Sequence, residues 1–316
     1  MNILLLGIGA WDPEPWRTRF QTALPGWRVV LPGEIFDRRA VRYAAAWKQP
    51  EGTFADLPML EAIFSLGAGV DHLFKDRRLP AGVPVVRVVD PDLTTRMSEY
   101  VVMHCLLALR RVRVYDGFQR ERQWIDLRDQ PQASDIRVGI LGMGVLGQDS
   151  AAKLKAMGFQ VAGWSRRPKV VEGVAMHHGA EGLDTLVGAS DILVAMMPLT
   201  AETTGILNAT LFAKLPSAEA IGGPVLINVG RGGLQNEADI LAALASGKLG
   251  TAILDVFQTE PLPEDSPLWS HPRVTVTPHN SAISSPPAIA AYVAGQIRAH
   301  MDGAPLQNVV DPAHGY

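Results

Sequence analysis

An α/β fold built on parallel sheets is expected for this 316-residue chain, on three observations. Short apolar runs alternate with helical patterns over most of its length, as in strands covered by helices on both faces. One run, Ile136, Val138, Ile140 and Leu141, leads directly into Gly142-Met143-Gly144-Val145-Leu146-Gly147 and a helical stretch through residue 157. A G-x-G-x-x-G between strand and helix is the turn that receives a dinucleotide pyrophosphate. Finally, Arg231, Glu260 and His279 each follow an apolar strand, at the end where such sheets bind ligands.

The first element justifies itself residue by residue. Gly142 allows the tight turn, Gly144 lets the backbone approach phosphate with no Cβ between, and Gly147 lets the helix pack on the strand. The helix N-terminus then offers unpaired N–H groups to the anion. The next strand, Phe159-Gln-Val-Ala-Gly-Trp164, decides which dinucleotide. An acidic side chain about 20 residues past the glycines would hold a ribose 2′-hydroxyl. Ser165-Arg166-Arg167-Pro168-Lys169 stands there instead, and a guanidinium pairs with a 2′-phosphate in a fork. NADPH is therefore the expected cofactor and NADH the second choice, with Arg166 as the principal contact and Arg167 and Lys169 beside it.

Composition bounds the rest. With 47% hydrophobic and 19% charged residues and a net charge of -3, the chain has material for two cores. That balance gives no reason to expect nucleic acid or an anionic membrane. The single cysteine, Cys105, lies in an apolar run and reads as a buried thiol, consistent with a reducing cytoplasm. The apolar start is read as a first strand, since no basic segment precedes it, and no run is long enough to span a bilayer.

In chain order, residues 1–96 carry strand-like runs at 3–6, 27–31, 43–47, 62–66 and 83–89. Gly7-Ile-Gly9 is a strand-end turn, because Asp12, Pro13 and Pro15 break the fingerprint. Ser65-Leu-Gly-Ala-Gly-Val70 follows an apolar strand, and consecutive N–H groups there would form a nest for a small carboxylate. Trp47, at a strand end, would wall the same pocket. Thr94, Thr95 and Ser98 are cap candidates for a helix apolar over much of its circumference, which must be buried in a core or an interface. Residues 119–132 are polar around Trp124 and Leu127 and read as a connecting arm. Further strands at 191–196, 225–229, 252–257 and 273–277 bring the second half to six, and 286–301 is a closing helix.

The chemistry follows from the strand ends. Counted from the fingerprint, Arg231 follows the fourth strand, Glu260 the fifth and His279 the sixth; in the order 3-2-1-4-5-6 of a doubly wound Rossmann sheet these lie side by side on the nicotinamide half. A guanidinium grips a carboxylate and polarises the neighbouring carbonyl, and the glycines of Gly230-Arg-Gly-Gly233 are expected to clear space for the substrate. An imidazole transfers protons near neutrality, and a carboxylate orients it and favours its charged form. The remaining histidines, His72, His104, His177, His178, His271, His300 and His314, show no metal-ligand spacing.

These residues resemble a known family, the D-isomer-specific 2-hydroxyacid dehydrogenases. The likeness runs through Ser65-Leu-Gly-Ala-Gly-Val-Asp71, the glycine turn at 142–147, Asn228-Val-Gly-Arg-Gly-Gly233, Asp255-Val-Phe-Gln-Thr-Glu-Pro-Leu262 and Thr277-Pro-His279. Trp47, residues 208–215 and the turn at 164–168 look most like its glyoxylate/hydroxypyruvate reductase branch. The resemblance implies a Rossmann domain at 97–284 and a flavodoxin-like α/β substrate domain formed by 1–96 and 285–316. It implies reduction of small 2-oxo acids by NADPH, with Arg231 binding substrate, Glu260 supporting the histidine and His279 as acid/base. It further implies that the backbone at Ala68 and Gly69 holds the carboxylate, that Asp255 contacts the nicotinamide amide, and that the helix from Ser98 builds a homodimer. Met97 joins Trp47 as a pocket residue, and Pro198 and Val229 complete the cofactor set. Two rivals stand beside this reading: an NAD-dependent relative acting on a larger 2-hydroxy acid, and a non-catalytic nucleotide-sensing module, which would need no proton donor.

Overall fold

A computed structural model describes residues 2–9 and 11–311 and divides the chain into two compact units, one running up to Leu93 and resuming at Ser284, the other Thr94–Ile283. The first unit is a parallel sheet of β1 (Ile3–Ile8), β2 (Arg28–Val30), β3 (Val41–Trp47), β4 (Ala62–Ser65) and β5 (Val85–Val86), with α1 (Glu14–Ala23) and the single turn α2 (Asp71–Phe74) between strands. Its order is β2-β1-β3-β4-β5, the flavodoxin-like arrangement. Strand alternation sends Leu4 and Leu6 to one core and Ile3 and Leu5 to the other, so both faces are covered.

The long helix α3 (Pro91–Leu109) begins three residues before the first expected cap. Pro91 occupies the first helical position, where its missing N–H costs nothing, and Asp90 accepts from the Asp92 N–H at 3.1 Å. Ser98 is inside the helix, its hydroxyl donating to the Thr94 carbonyl. Val101, Cys105 and Leu109 are buried as the pattern required, but Met103 and Leu107 of the same helix are exposed. A second helix, α4 (Val112–Arg120), leads into the arm, where Trp124 is 100% exposed.

The second sheet has seven strands, one more than the sequence indicates. It contains β6 (Arg137–Leu141), β7 (Gln160–Ser165), β8 (Ala175–His178), β9 (Ile192–Ala195), β10 (Val225–Asn228), β11 (Thr251–Leu254) and β12 (Val274–Val276). Helices α5 (Val145–Ala156), α6 (Gly179–Gly188), α7 (Ala209–Phe212) and α8 (Glu237–Ser246) fall between them. The strand missed is β8, an edge strand with no buried residue and therefore no apolar signature. All pairs are parallel in the order β8-β7-β6-β9-β10-β11-β12, a Rossmann sheet extended by one strand. The count is thus corrected: Arg231, Glu260 and His279 follow the fifth, sixth and seventh strands from the fingerprint, and those strands are neighbours. The last helix, α9 (Pro286–Met301), belongs to the first unit and buries Ile289, Val293 and Ile297 against Phe20 and Leu24.

Among the described residues no helix is long and apolar enough to cross a membrane, and no group of three His, Cys, Asp or Glu side chains is placed to hold a metal ion. His314 lies outside the described residues.

Candidate active site

The turn from β6 into α5 assigns each glycine a different job. Gly142 has φ +107°, and a Cβ on it would stand 2.9 Å from the Met196 carbonyl. On Gly147 a Cβ would stand 2.2 Å from the Gly142 oxygen, so helix and turn touch only because it is absent. On Gly144 it would meet nothing within 4 Å. That open space beside the start of α5 fits a dinucleotide pyrophosphate. Met143 is buried with its side chain against Gly163, while Val145 is exposed on the first turn of the helix.

At the end of β7 no carboxylate occupies the ribose position. Ser165 donates to the Arg167 carbonyl at 2.8 Å, and Lys169 Nζ donates to the Met143 carbonyl at 2.6 Å, which ties the basic turn to the glycine turn. Arg166 Nη1 lies 3.4 Å from Glu202, whose carboxylate also accepts from Thr200. Pro198 and Val229 stand just past β9 and β10, and Val229 N–H donates to Ala195 at 3.1 Å.

The loops after β10, β11 and β12 carry the ionisable groups. Asn228 is fully buried; its amide donates to the Arg231 carbonyl (3.1 Å) and Gln235 (2.8 Å), and its oxygen accepts from Gly230 N–H (3.1 Å). This fixes the path of the Arg231 loop. Its glycines do not clear space for a substrate, contrary to the expectation: a Cβ on Gly232 would lie 1.8 Å from the Phe257 carbonyl oxygen and one on Gly230 2.8 Å from the Met197 oxygen. Gly232 lets the β10 loop press on the β11 loop, and Gly230 lets it press on the β9 loop. Glu260 Oε1 accepts from Phe257 N–H at 3.2 Å, which shapes its own loop.

His279 Nδ1 lies 2.9 Å and 3.1 Å from the two Glu260 oxygens. The carboxylate accepts only, so Nδ1 carries the proton and Nε2 is left for a reacting atom. The pair is open to solvent, with side-chain exposures of 40% for His279 and 27% for Glu260. An imidazole oriented in this way, two strands from a loop arginine, can deliver a proton to an oxyanion.

Comparison with known proteins gives the family. Residues 102–281 match the family description "D-isomer specific 2-hydroxyacid dehydrogenase, NAD binding domain". The chain belongs to the D-isomer-specific 2-hydroxyacid dehydrogenase family. A glyoxylate/hydroxypyruvate reductase A of Serratia proteamaculans is 41% identical, covering 96% of this chain and 97% of that protein. Among solved structures, an NADPH-dependent glyoxylate/hydroxypyruvate reductase of Sinorhizobium meliloti, in complex with NADP and sulfate, is 47% identical with a TM-score of 0.92, covering 100% of both chains. A probable 2-hydroxyacid dehydrogenase of Rhizobium etli, in complex with NADP, HEPES and tartaric acid, is 44% identical with a TM-score of 0.94, again over 100% of both chains.

Other contacts of this dehydrogenase chain are set by the fold. Asp255 is fully buried; Oδ1 accepts from Thr277 Oγ1 (2.6 Å), Asn280 N–H (2.9 Å) and Ser281 N–H (3.1 Å), and Oδ2 also accepts from Ser281 (3.1 Å). Its carboxylate therefore braces the turn that carries His279. Nothing in the sequence sets Thr277 or Gln235 apart, whereas Asn228 stands out as a polar end to an apolar strand. Met97 is 7% exposed and packs in the core with Val101 and Cys105. In the first unit, the N–H groups of Ala68 and Gly69 meet no acceptor among the described residues, while Ser65 Oγ accepts from Gly67 N–H and donates to the Gly69 carbonyl. Trp47 lies against this turn: a Cβ on Gly67 would be 2.5 Å from its ring.

Proposed function

We propose that this chain reduces small 2-oxo acids, glyoxylate and hydroxypyruvate first among them, to 2-hydroxy acids with NADPH. The observation that carries the reading is the His279 Nδ1 contact with Glu260 at 2.9 Å, at the end of β12, with β11 before Glu260 beside it and β10 before Arg231 next in the sheet. Relatives named for this reaction, 38–41% identical over most of the chain, support it. Gly142, Gly144 and Gly147 with the N-terminal turn of α5 would hold the pyrophosphate, and Arg166, supported by Ser165, Arg167 and Lys169, the 2′-phosphate. When bound, that cofactor supplies the hydride for C2 of the substrate.

The chain's own residues do the rest. Arg231 grips the carboxylate and polarises the carbonyl, so it acts on binding and on the transition state together. His279 gives its Nε2 proton to the carbonyl oxygen as negative charge develops there, and Glu260 holds Nδ1–H and so turns Nε2 toward the reacting atom. Ala68 and Gly69 offer the substrate carboxylate two N–H groups that meet no acceptor among the described residues, with Trp47 limiting its size. Asp255, fully buried and braced by three donors, steadies the turn that carries His279.

The test is NADPH and NADH oxidation with a panel of 2-oxo acids. Glyoxylate and hydroxypyruvate should lead, with NADPH the better donor, and His279→Ala should lower kcat by about a thousandfold, within the span of general acid-base catalysis. Wild-type protein inert toward every 2-oxo acid, or His279→Ala turning over normally, would reject the reading. We further infer a cytoplasmic homodimer: the exposed Met103 and Leu107 of α3 are an apolar patch that a second copy would cover, and the lone thiol Cys105 is buried and unpaired. Light scattering that reports a monomer would reject the dimer.

A further inference from the structure

His279 holds a backbone conformation that needs outside support. Its φ is +53°, in the left-handed region where a side chain with a Cβ is disfavoured, and such residues persist when their surroundings over-determine them. Asp255 supplies that support twice. Its carbonyl accepts the His279 N–H at 2.8 Å, and its carboxylate accepts the next two N–H groups, of Asn280 and Ser281. Asp255 is itself anchored through its backbone, whose N–H donates to the Asn228 carbonyl at 3.1 Å, and through its carboxylate, which accepts from the Thr277 hydroxyl 2.6 Å from Oδ1.

Thr277 has one hydroxyl proton, and the carboxylate takes it. The Tyr100 hydroxyl, 2.7 Å from Thr277 Oγ1, must therefore donate. A directed chain results, Tyr100 O–H to Thr277 O–H to Asp255, running from α3 to the turn of the histidine. We propose that Tyr100 and Thr277 are positioning residues for the acid/base step: through Asp255 they hold the 277–281 turn in the left-handed conformation that presents His279 to Glu260. This rests on the reading of His279 as the acid/base.

The surroundings keep the chain in one state. Burial pushes the Tyr100 phenol up to about 12, against a lowering effect of the Thr277 hydroxyl and with the Asp255 charge adding to the rise, so the phenol keeps its proton at any working pH. The neighbouring His104 ring, 4.3 Å from the Tyr100 ring, is driven down to about 4 by burial and stays neutral. Its Nε2 has no partner among the described residues, so it does not compete for the phenol.

Tyr100→Phe, Thr277→Val and Thr277→Ser test the proposal by single-turnover stopped flow, in which the rate constant of NADPH oxidation does not depend on the folded fraction while the amplitude does. Tyr100→Phe should slow the rate constant about fivefold and Thr277→Val about thirtyfold, the scale of losing one and then two hydrogen bonds around a buried carboxylate. Thr277→Ser should recover to within about twofold, and the amplitude should be unchanged. A second reading uses protein without cofactor: the His279 Cε1–H resonance, assigned by its loss in His279→Gln, is single in wild type and should broaden or double in Thr277→Val. Unchanged rate constants in Tyr100→Phe, even with a lower amplitude or melting temperature, would overturn the proposal. Should Thr277→Val not fold, Tyr100→Phe decides alone. If wild type oxidises no NADPH with any 2-oxo acid, the functional reading fails instead, and a His279 resonance that stays single in Tyr100→Phe and Thr277→Val still rejects the clamp.

Discussion

The glycines after β6 and those after β10 answer opposite demands. Beside Gly144 the place of a Cβ is open for 4 Å in every direction, whereas beside Gly232 it is 1.8 Å from a backbone oxygen of the neighbouring loop. One turn is shaped to be approached by something outside the chain; the other is packed from within, as is the Asp255-braced turn of His279. The same residue type therefore marks a ligand in one place and loop-on-loop packing in the other, and only the neighbours tell them apart. Alanine at each position breaks or sharpens the contrast. Gly232→Ala should destabilise the protein by about 3 kcal/mol and lower kcat more than about a hundredfold, because the backbone carbonyl of Phe257 has nowhere to go. Gly144→Ala, at φ -74°, should leave the melting temperature of the cofactor-free protein unchanged and raise the KM for NADPH about thirtyfold. Equal melting temperatures for the two variants would erase the distinction.

The inner side of the catalytic loops has a second signature, in stability rather than shape. His104, 5% exposed, has its pKa lowered to about 4 by burial and by Arg113, with Asp255 opposing. Below the ordinary value of 6.5 the unfolded chain binds a proton that the folded one refuses, so stability is unaffected above about pH 6.5 and is lost progressively toward pH 4. By pH 5 the loss from this group should reach about 2 kcal/mol. Denaturant titrations at pH 7 and pH 5 should show it in wild type and not in His104→Leu. Parallel losses in the two proteins would mean that the ring takes up its proton where it stands.

The two kinds of turn also differ in how much of them the sequence reveals. The fingerprint is local, six residues between a strand and a helix, and its glycine spacing carries its own explanation. Arg231, Glu260 and His279 are legible because strand ends are legible, and the error in strand count did not move them relative to one another. What stays hidden depends on neighbours distant in the chain. Tyr100 and Thr277 are 177 positions apart, and nothing in either segment says that they touch. β8 hides because it buries no residue, so no alternation marks it. The glycines at 230–233 invite a wrong inference because an absent Cβ looks the same in a sequence whatever fills its place.

The outward-facing side of the comparison yields the smallest effect. Arg166 stands at the end of β7 with Glu202 at 3.4 Å, and its guanidinium is 31% exposed. Solvent and that carboxylate both weaken what it gives to a 2′-phosphate, so its contribution should fall at the low end for a charged hydrogen bond, about 1.5 kcal/mol. Arg166→Ser should therefore raise the KM for NADPH about tenfold and leave the KM for NADH nearly unchanged, since NADH has no phosphate to lose. Because the pair is exposed, added salt should narrow the gap between wild type and variant. If NADPH and NADH rise together, Arg166 shapes the turn instead of reading the phosphate, and the preference must come from Lys169 and Arg167; the Lys169 bond to the Met143 carbonyl then becomes the link between the basic turn and the glycine turn.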